Sequence, residues 1–211
     1  MFMDSIYLTV RITLIRRGVD AIVDVIDTIK TRRSIGKVKD DPVPSDSIEK
    51  ILEAGTYAPN HYRTEPWRFF VISGDSRKKL GSLLEEIARI ENTDLDPDEW
   101  NKKAEKARNN PLRAPVIIAV GVEPGDKKNV IIKEEYAAVC SAIQNMLLTA
   151  HSLGLGAIWR TGAVTYHDRV KKFFGLTPKG EMAGFIYIGY SDLTPKAVKK
   201  TGFEDFTVWM N

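Results

Sequence analysis

The chain has 211 residues, 43% of them hydrophobic, enough to bury a sizeable core in one large domain or two small ones, and one domain is the simpler reading. Its 31 basic and 28 acidic residues leave a formal charge of +3, so neither sign dominates; without long basic runs interleaved with aromatics, nothing supports nucleic-acid binding. The single cysteine, Cys140, excludes an intramolecular disulfide and a cysteine metal cluster, and fits a reducing cytoplasm.

Met1 to Leu14 superficially resembles an export signal, but Arg11 interrupts the apolar run and no small-residue cleavage site follows. Residues 1–18 are taken as an atypical N-terminal extension and 19–211 as a single domain. Apolar residues at 19, 22, 23, 26 and 29 predict a helix ending near Thr31, which delivers Arg32, Arg33 and Ser34 to a loop. Ser45 is expected to cap an amphipathic helix closed by Gly55. A loop from Tyr57 to Pro66 then leads into a strand over Trp67–Ile72.

Residues 76–110 are charged and predict a solvated helical excursion, broken between Asn92 and Pro97. Ala114–Val122 predicts a second strand, with Pro115 at its start where a missing donor matters least. Glu134–Leu153 is expected to be the central core helix, followed by a short strand from Ala157 into a turn at Gly162. A helix over Asp168–Phe174 and a strand over Met182–Tyr190 precede a tail whose aromatic end, Phe206 to Met210, has to dock somewhere, a partner subunit being one candidate. Strands and helices without strict alternation suggest an α+β fold, a sheet sandwiched by helices. No window beyond the first approaches the roughly 18 unbroken apolar residues of a membrane span.

Three segments offer chemistry. Arg32-Arg33-Ser34 supplies two guanidiniums and a hydroxyl for a phosphate or the polar edge of a ring, although taken alone the arginines serve a helix C-terminal dipole as well. In Ala58-Pro59-Asn60-His61, with Pro66-Trp67 following, prolines restrain the polar side chains between them, as a rigid structural turn also requires. Trp159-Arg160-Thr161-Gly162 ends a strand with a glycine that lets backbone amides approach a ligand, or that only closes a turn. His151 and His167 sit where capping or surface roles fit better, and Cys140 fits a core position. Gly154-Leu155-Gly156 follows a helix instead of a strand, which argues against a Rossmann site, and no Walker loop or hydrolase elbow is present.

Together these segments resemble the FMN-dependent nitroreductase family, in its minimal, small-subunit form, from about Val19 to the C-terminus. The resemblance implies a nitroreductase-like fold with a mostly antiparallel central sheet flanked by helices, in an intertwined homodimer with FMN at the subunit interface. It implies that Arg32, Arg33 and Ser34 hold the phosphate, ribityl chain or pyrimidine edge from one subunit, that Tyr57 and His61 reach the flavin from the other, and that Trp159, Arg160, Thr161 and the amide of Gly162 line the isoalloxazine. Hydride chemistry then belongs to the cofactor, which is why no acid–base dyad is expected. The family's Ser-Ser-x-Asn-x-Gln loop is replaced by Asn60 to Glu65, and its basic residue two positions past the serine by Gly36. Lys196, Lys199 and Lys200 are available for the phosphate.

The expected function is electron transfer from NADPH or NADH to a small acceptor such as a nitroaromatic or quinone. A specialised flavin reaction would place its lid in residues 85–110. The reading from a different class is a flavin-binding protein or dimeric scaffold without significant turnover.

Overall fold

A computed structural model describes residues 24–191, 193 and 198–210. The N-terminal extension, the predicted start of the first helix and Lys196 lie outside the described residues. The elements run α1 (Val25–Thr31), α2 (Ser45–Thr56), β1 (Trp67–Ser73), α3 (Ser76–Glu91), α4 (Pro97–Asn109), β2 (Val116–Val122), α5 (Ile132–Ser152), β3 (Gly156–Arg160), α6 (Asp168–Phe173) and β4 (Glu181–Gly189).

The four strands form one sheet in the order β1-β2-β4-β3, every neighbouring pair antiparallel. The central strands are apolar without alternation because helices cover both faces: every residue of β2 is buried, as is all of β4 after Glu181. On one face Ile51 of α2 and Val139, Ile143 and Met146 of α5 pack with Ile118, Val120, Ile186 and Ile188. On the other, Leu80, Leu84 and Ile87 of α3 and Val170 of α6 pack with Ile117, Ala119, Phe185 and Tyr187. The α+β fold read from the sequence is the one observed.

Three details differ from expectation. Ser45 does not cap α2; Pro44 occupies the cap position with no side-chain bond, and the chain enters the helix on proline's fixed φ. Gly55 does not close that helix, which ends at Thr56, with the N–H of Tyr57 bonded to the carbonyls of Ala54 and Gly55. Gly55 lets α2 approach its neighbours, since a Cβ there would stand 3.0 Å from Phe69 Cζ and 3.1 Å from Met146 Cγ. Finally, the solvated excursion describes α4, whose only buried residue is Ala104, but not α3, which covers the sheet.

A bulge sits where β2 meets β4. Val120 pairs with Gly184 and Gly121 with Met182, which leaves Ala183 as the extra residue. Its carbonyl accepts the indole N–H of Trp159 at 3.1 Å. Gly184 is required there: its φ is +151°, and a Cβ would stand 2.2 Å from Trp159 Nε1.

Candidate functional site

The site is built outward from the C-terminus of α1. Asp24 caps that short helix by accepting the N–H of Asp27 at 2.9 Å, and the Arg32 N–H closes it on the Thr28 carbonyl. Arg33 folds back so that Nη1 donates to the carbonyls of Lys30 (2.7 Å) and Arg32 (2.9 Å). It thus serves the exposed carbonyls of the helix end, while its Nε is buried without a partner. The Arg32 side chain makes no hydrogen bond or ion pair among the described residues. Arg32, Arg33 and Ser34 line a cavity of about 440 Å³ that also receives Lys30 and Lys200, four cations with no carboxylate among the lining residues. Among the described residues, Lys200 is the C-terminal lysine that reaches this cavity.

His151, at the end of α5, joins the same neighbourhood. The Thr31 hydroxyl proton is directed to the Asp27 carbonyl at 2.6 Å, so His151 Nε2, 2.9 Å from that hydroxyl, carries a hydrogen and donates. Burial first, then Arg32 and Arg33, hold its pKa below the ordinary 6.5.

Ser34 pairs in parallel with Ala157 of β3, and Ile35 N–H donates to the Ala157 carbonyl at 2.9 Å. This contact brings the first motif to the third. Within β3, alternation sends Trp159 and Arg160 to opposite faces of the sheet. Trp159 packs on the α5 side and spends its N–H on Ala183. Arg160 stacks its guanidinium over the Tyr187 ring, 5.1 Å from the centroid, and its Nε is buried without a partner. A Cβ at Gly36 would stand 3.1 Å from Arg160 Nη2, so Arg160 holds the place a side chain at position 36 would take. Thr161 and Gly162 follow at the strand end, both exposed, with Gly162 at φ +127°.

Tyr57 and His61 are not brought to this cluster. Their loop precedes β1, at the opposite edge of the sheet from β3, with β2 and β4 between. Tyr57 is exposed. His61 stacks on Tyr62, ring centroids 4.2 Å apart, and its Nδ1 lies 2.7 Å from Glu134 Oε2. This imidazole–carboxylate pair was not anticipated from the sequence. Sequence spacing gave no signal for it, because 73 residues separate the partners. Lys200 is one of the three C-terminal lysines expected to be available, His151 lies closer to the arginines than a capping or surface role requires, and Glu135, whose buried carboxylate meets the loop, had no signal in the sequence. Cys140 is half-buried and burial pushes its thiol pKa up, which suits a passive role.

The site thus defined is a cation-lined cavity at the β3 edge of a helix-sandwiched antiparallel sheet. The chain belongs to the nitroreductase family, an oxidoreductase family, whose model matches residues 29–190; it is an enzyme of that class. It is 36% identical over 179 residues to the Bacillus subtilis (strain 168) protein named "Putative NAD(P)H nitroreductase YfhC", covering 85% of this chain and 90% of that one. The solved nitroreductase-like family protein from Bacillus cereus is similar with a TM-score of 0.77 at 28% identity, covering 92% of this chain and 99% of that one. A Bacteroides fragilis nitroreductase solved with bound FMN shares the fold at a TM-score of 0.61 and 24% identity, over 84% of this chain and 95% of that one.

Proposed function

We propose that this protein is an FMN-dependent oxidoreductase that takes electrons from NADH or NADPH and passes them to a small acceptor such as a nitroaromatic or quinone. The observation that carries the reading is the pair of buried, unpartnered guanidinium donors, Arg33 Nε and Arg160 Nε, on two segments joined by the Ser34–Ala157 bridge. Buried donors without acceptors are costly, so an acceptor-rich ligand is expected beside them. FMN carries a phosphate, ribityl hydroxyls and pyrimidine carbonyls, and it fits the donor set. The B. subtilis relative is named for NAD(P)H, and the B. fragilis neighbour was solved with FMN.

In this reading Arg32 and Lys200 hold the phosphate, and Arg33, Ser34 and Arg160 bond to the ribityl chain and pyrimidine edge. Trp159, Thr161 and the Gly162 amide border the ring. When bound, FMN supplies a ring that accepts and returns a hydride. The protein's work is to orient that ring, shield one face and admit donor and acceptor in turn.

A second copy completes the site. Tyr57 and His61 stand an entire sheet away from Arg32 in one chain, and α1 leaves Val25, Ile26 and Ile29 about half exposed or more. The tail exposes Phe206, Val208, Trp209 and Met210, a row of large apolar groups that a free monomer seldom leaves in water. A homodimer covers these surfaces and lets one chain's loop reach the other chain's flavin. Residues 19–211 then act as one domain of a cytoplasmic enzyme; among the described residues no helix is long and apolar enough to cross a membrane.

The test is purification followed by anaerobic spectroscopy. We expect a yellow protein whose flavin band bleaches with NADH or NADPH and recovers on adding a quinone or nitroaromatic. A colourless protein that fails to bind added FMN overturns the proposal, and a yellow protein that neither donor bleaches reduces it to a passive flavin binder.

A further inference from the structure

The loop that carries His61 is held more tightly than a connection into β1 requires. Arg63 and Glu65 have φ of +52° and +49°, left-handed conformations that residues with side chains adopt only where the surroundings impose them. Between those two residues the loop is tied to Glu135, on the first turn of α5, which is 1% exposed. Its Oε1 accepts the Thr64 hydroxyl at 2.7 Å and the Asn60 amide at 3.3 Å; its Oε2 accepts the backbone N–H of Gly125 at 3.0 Å. Asn60 Oδ1 in turn accepts the N–H of Glu65 at 2.8 Å, and Lys127 Nζ donates to the Tyr62 carbonyl at 2.8 Å. The turn at Gly125 is pressed onto the loop so closely that a Cβ there would stand 2.5 Å from Thr64 Cγ2.

A buried carboxylate is a poor way to gain stability, because desolvating it offsets most of what its bonds return. It is an effective way to specify one geometry, since only one arrangement of the three donors satisfies it. What that geometry presents is the His61 ring, stacked on Tyr62 and held at Nδ1 by Glu134, the residue next to Glu135. Two consecutive carboxylates of α5 therefore fix the loop, one from inside and one at its rim.

We infer that Glu135 is a positioning residue: through Thr64, Asn60 and Gly125 it fixes the loop so that His61 meets the flavin and the electron acceptor in one orientation. This rests on the flavin reading above. The test compares wild type with Glu135→Gln, which keeps the shape but turns an amide NH2 toward a donor. In proton NMR the three histidines are assigned from single His→Gln variants, and the Tyr62 ring current moves the His61 imidazole signals upfield in wild type. Glu135→Gln is expected to relax that shift while the His151 and His167 signals stay in place. It is also expected to raise the acceptor KM by about tenfold, the scale of one charge-assisted hydrogen bond, with flavin reduction by the nicotinamide unchanged. A variant that is less stable but keeps the wild-type His61 signals and acceptor KM has lost only structure, and overturns the inference. If Glu135→Gln does not fold, Thr64→Val removes the shortest of the three bonds and is judged by the same readouts. If wild type retains no FMN, the flavin reading fails, and the NMR signals alone decide whether Glu135 positions His61.

Discussion

Arg32 and Arg33 are adjacent but differently occupied, and this separates binding from stability. Arg32→Ala is expected to weaken FMN by roughly tenfold or more, since a charge-assisted hydrogen bond contributes about 1.5–3 kcal/mol, with the unfolding temperature of the flavin-free protein unchanged. Arg33→Ala is expected to lower both, because it also releases the carbonyls of Lys30 and Arg32 at the end of α1. Flavin fluorescence titration and thermal unfolding of the apoprotein distinguish the two. His151 supplies a pH dependence. Its folded pKa lies below 6.5, so the unfolded chain binds more protons, and stability present above pH 6.5 is lost as pH falls through the lowered midpoint. A phosphate beside Arg32 and Arg33 opposes their repulsion of the imidazolium. FMN is therefore expected to move the His151 midpoint upward in an NMR titration, with proton uptake on binding; an unmoved midpoint would place the phosphate elsewhere.

At the scale of elements, the sequence was most legible where one force acted alone. Val116–Val122 is an unbroken apolar run and became a central strand, and the helix read over Glu134–Leu153 is observed over Ile132–Ser152. Legibility failed where tertiary contact overrode local preference. Gly55 looks like a terminator, yet it sits inside α2, where its lack of a side chain serves the close approach of Phe69 and Met146. Leu80, Leu84 and Ile87 are spaced for burial, but dense charge between them concealed the buried face of α3. Residues 85–110 are where a specialised flavin reaction would place its lid. Trp100 donates to the Arg89 carbonyl at 3.0 Å and stacks under its guanidinium, while Lys103 bonds to Asn92, so α4 is clamped to α3. Trp100→Ala is expected to cost about 1–3 kcal/mol and to speed amide exchange in α4, leaving FMN affinity as it was. Loss of flavin binding in that variant would assign the hairpin a role at the site.

At the scale of the whole molecule, the three motifs were visible in the sequence, but their division between subunits was implied only by the family resemblance and by no local pattern. Ser34 and Ala157 are joined by a single bridge that no periodicity announces, and His61 finds Glu134 across 73 residues. The separation of Tyr57 and His61 from the arginines follows from strand order, which is set by long-range pairing and not by local pattern. The proposed homodimer makes the tail decisive. Removal of residues 203–211 is expected to convert a dimer into monomers in sedimentation and to lower FMN retention together with it. A truncated protein that stays dimeric would assign the contact to other surfaces.

The Ser34–Ala157 bridge also bears on how the protein is made. It closes a loop containing most of the chain, and contacts of such separation form late because the entropy of closing them is lost before they return anything. The proposed flavin pocket is therefore expected to be completed after the sheet, and a ligand that binds only the finished pocket would draw nearly completed chains into the native state by mass action. Flavin supplied during refolding should therefore raise the yield of native protein more than it speeds the first appearance of secondary structure.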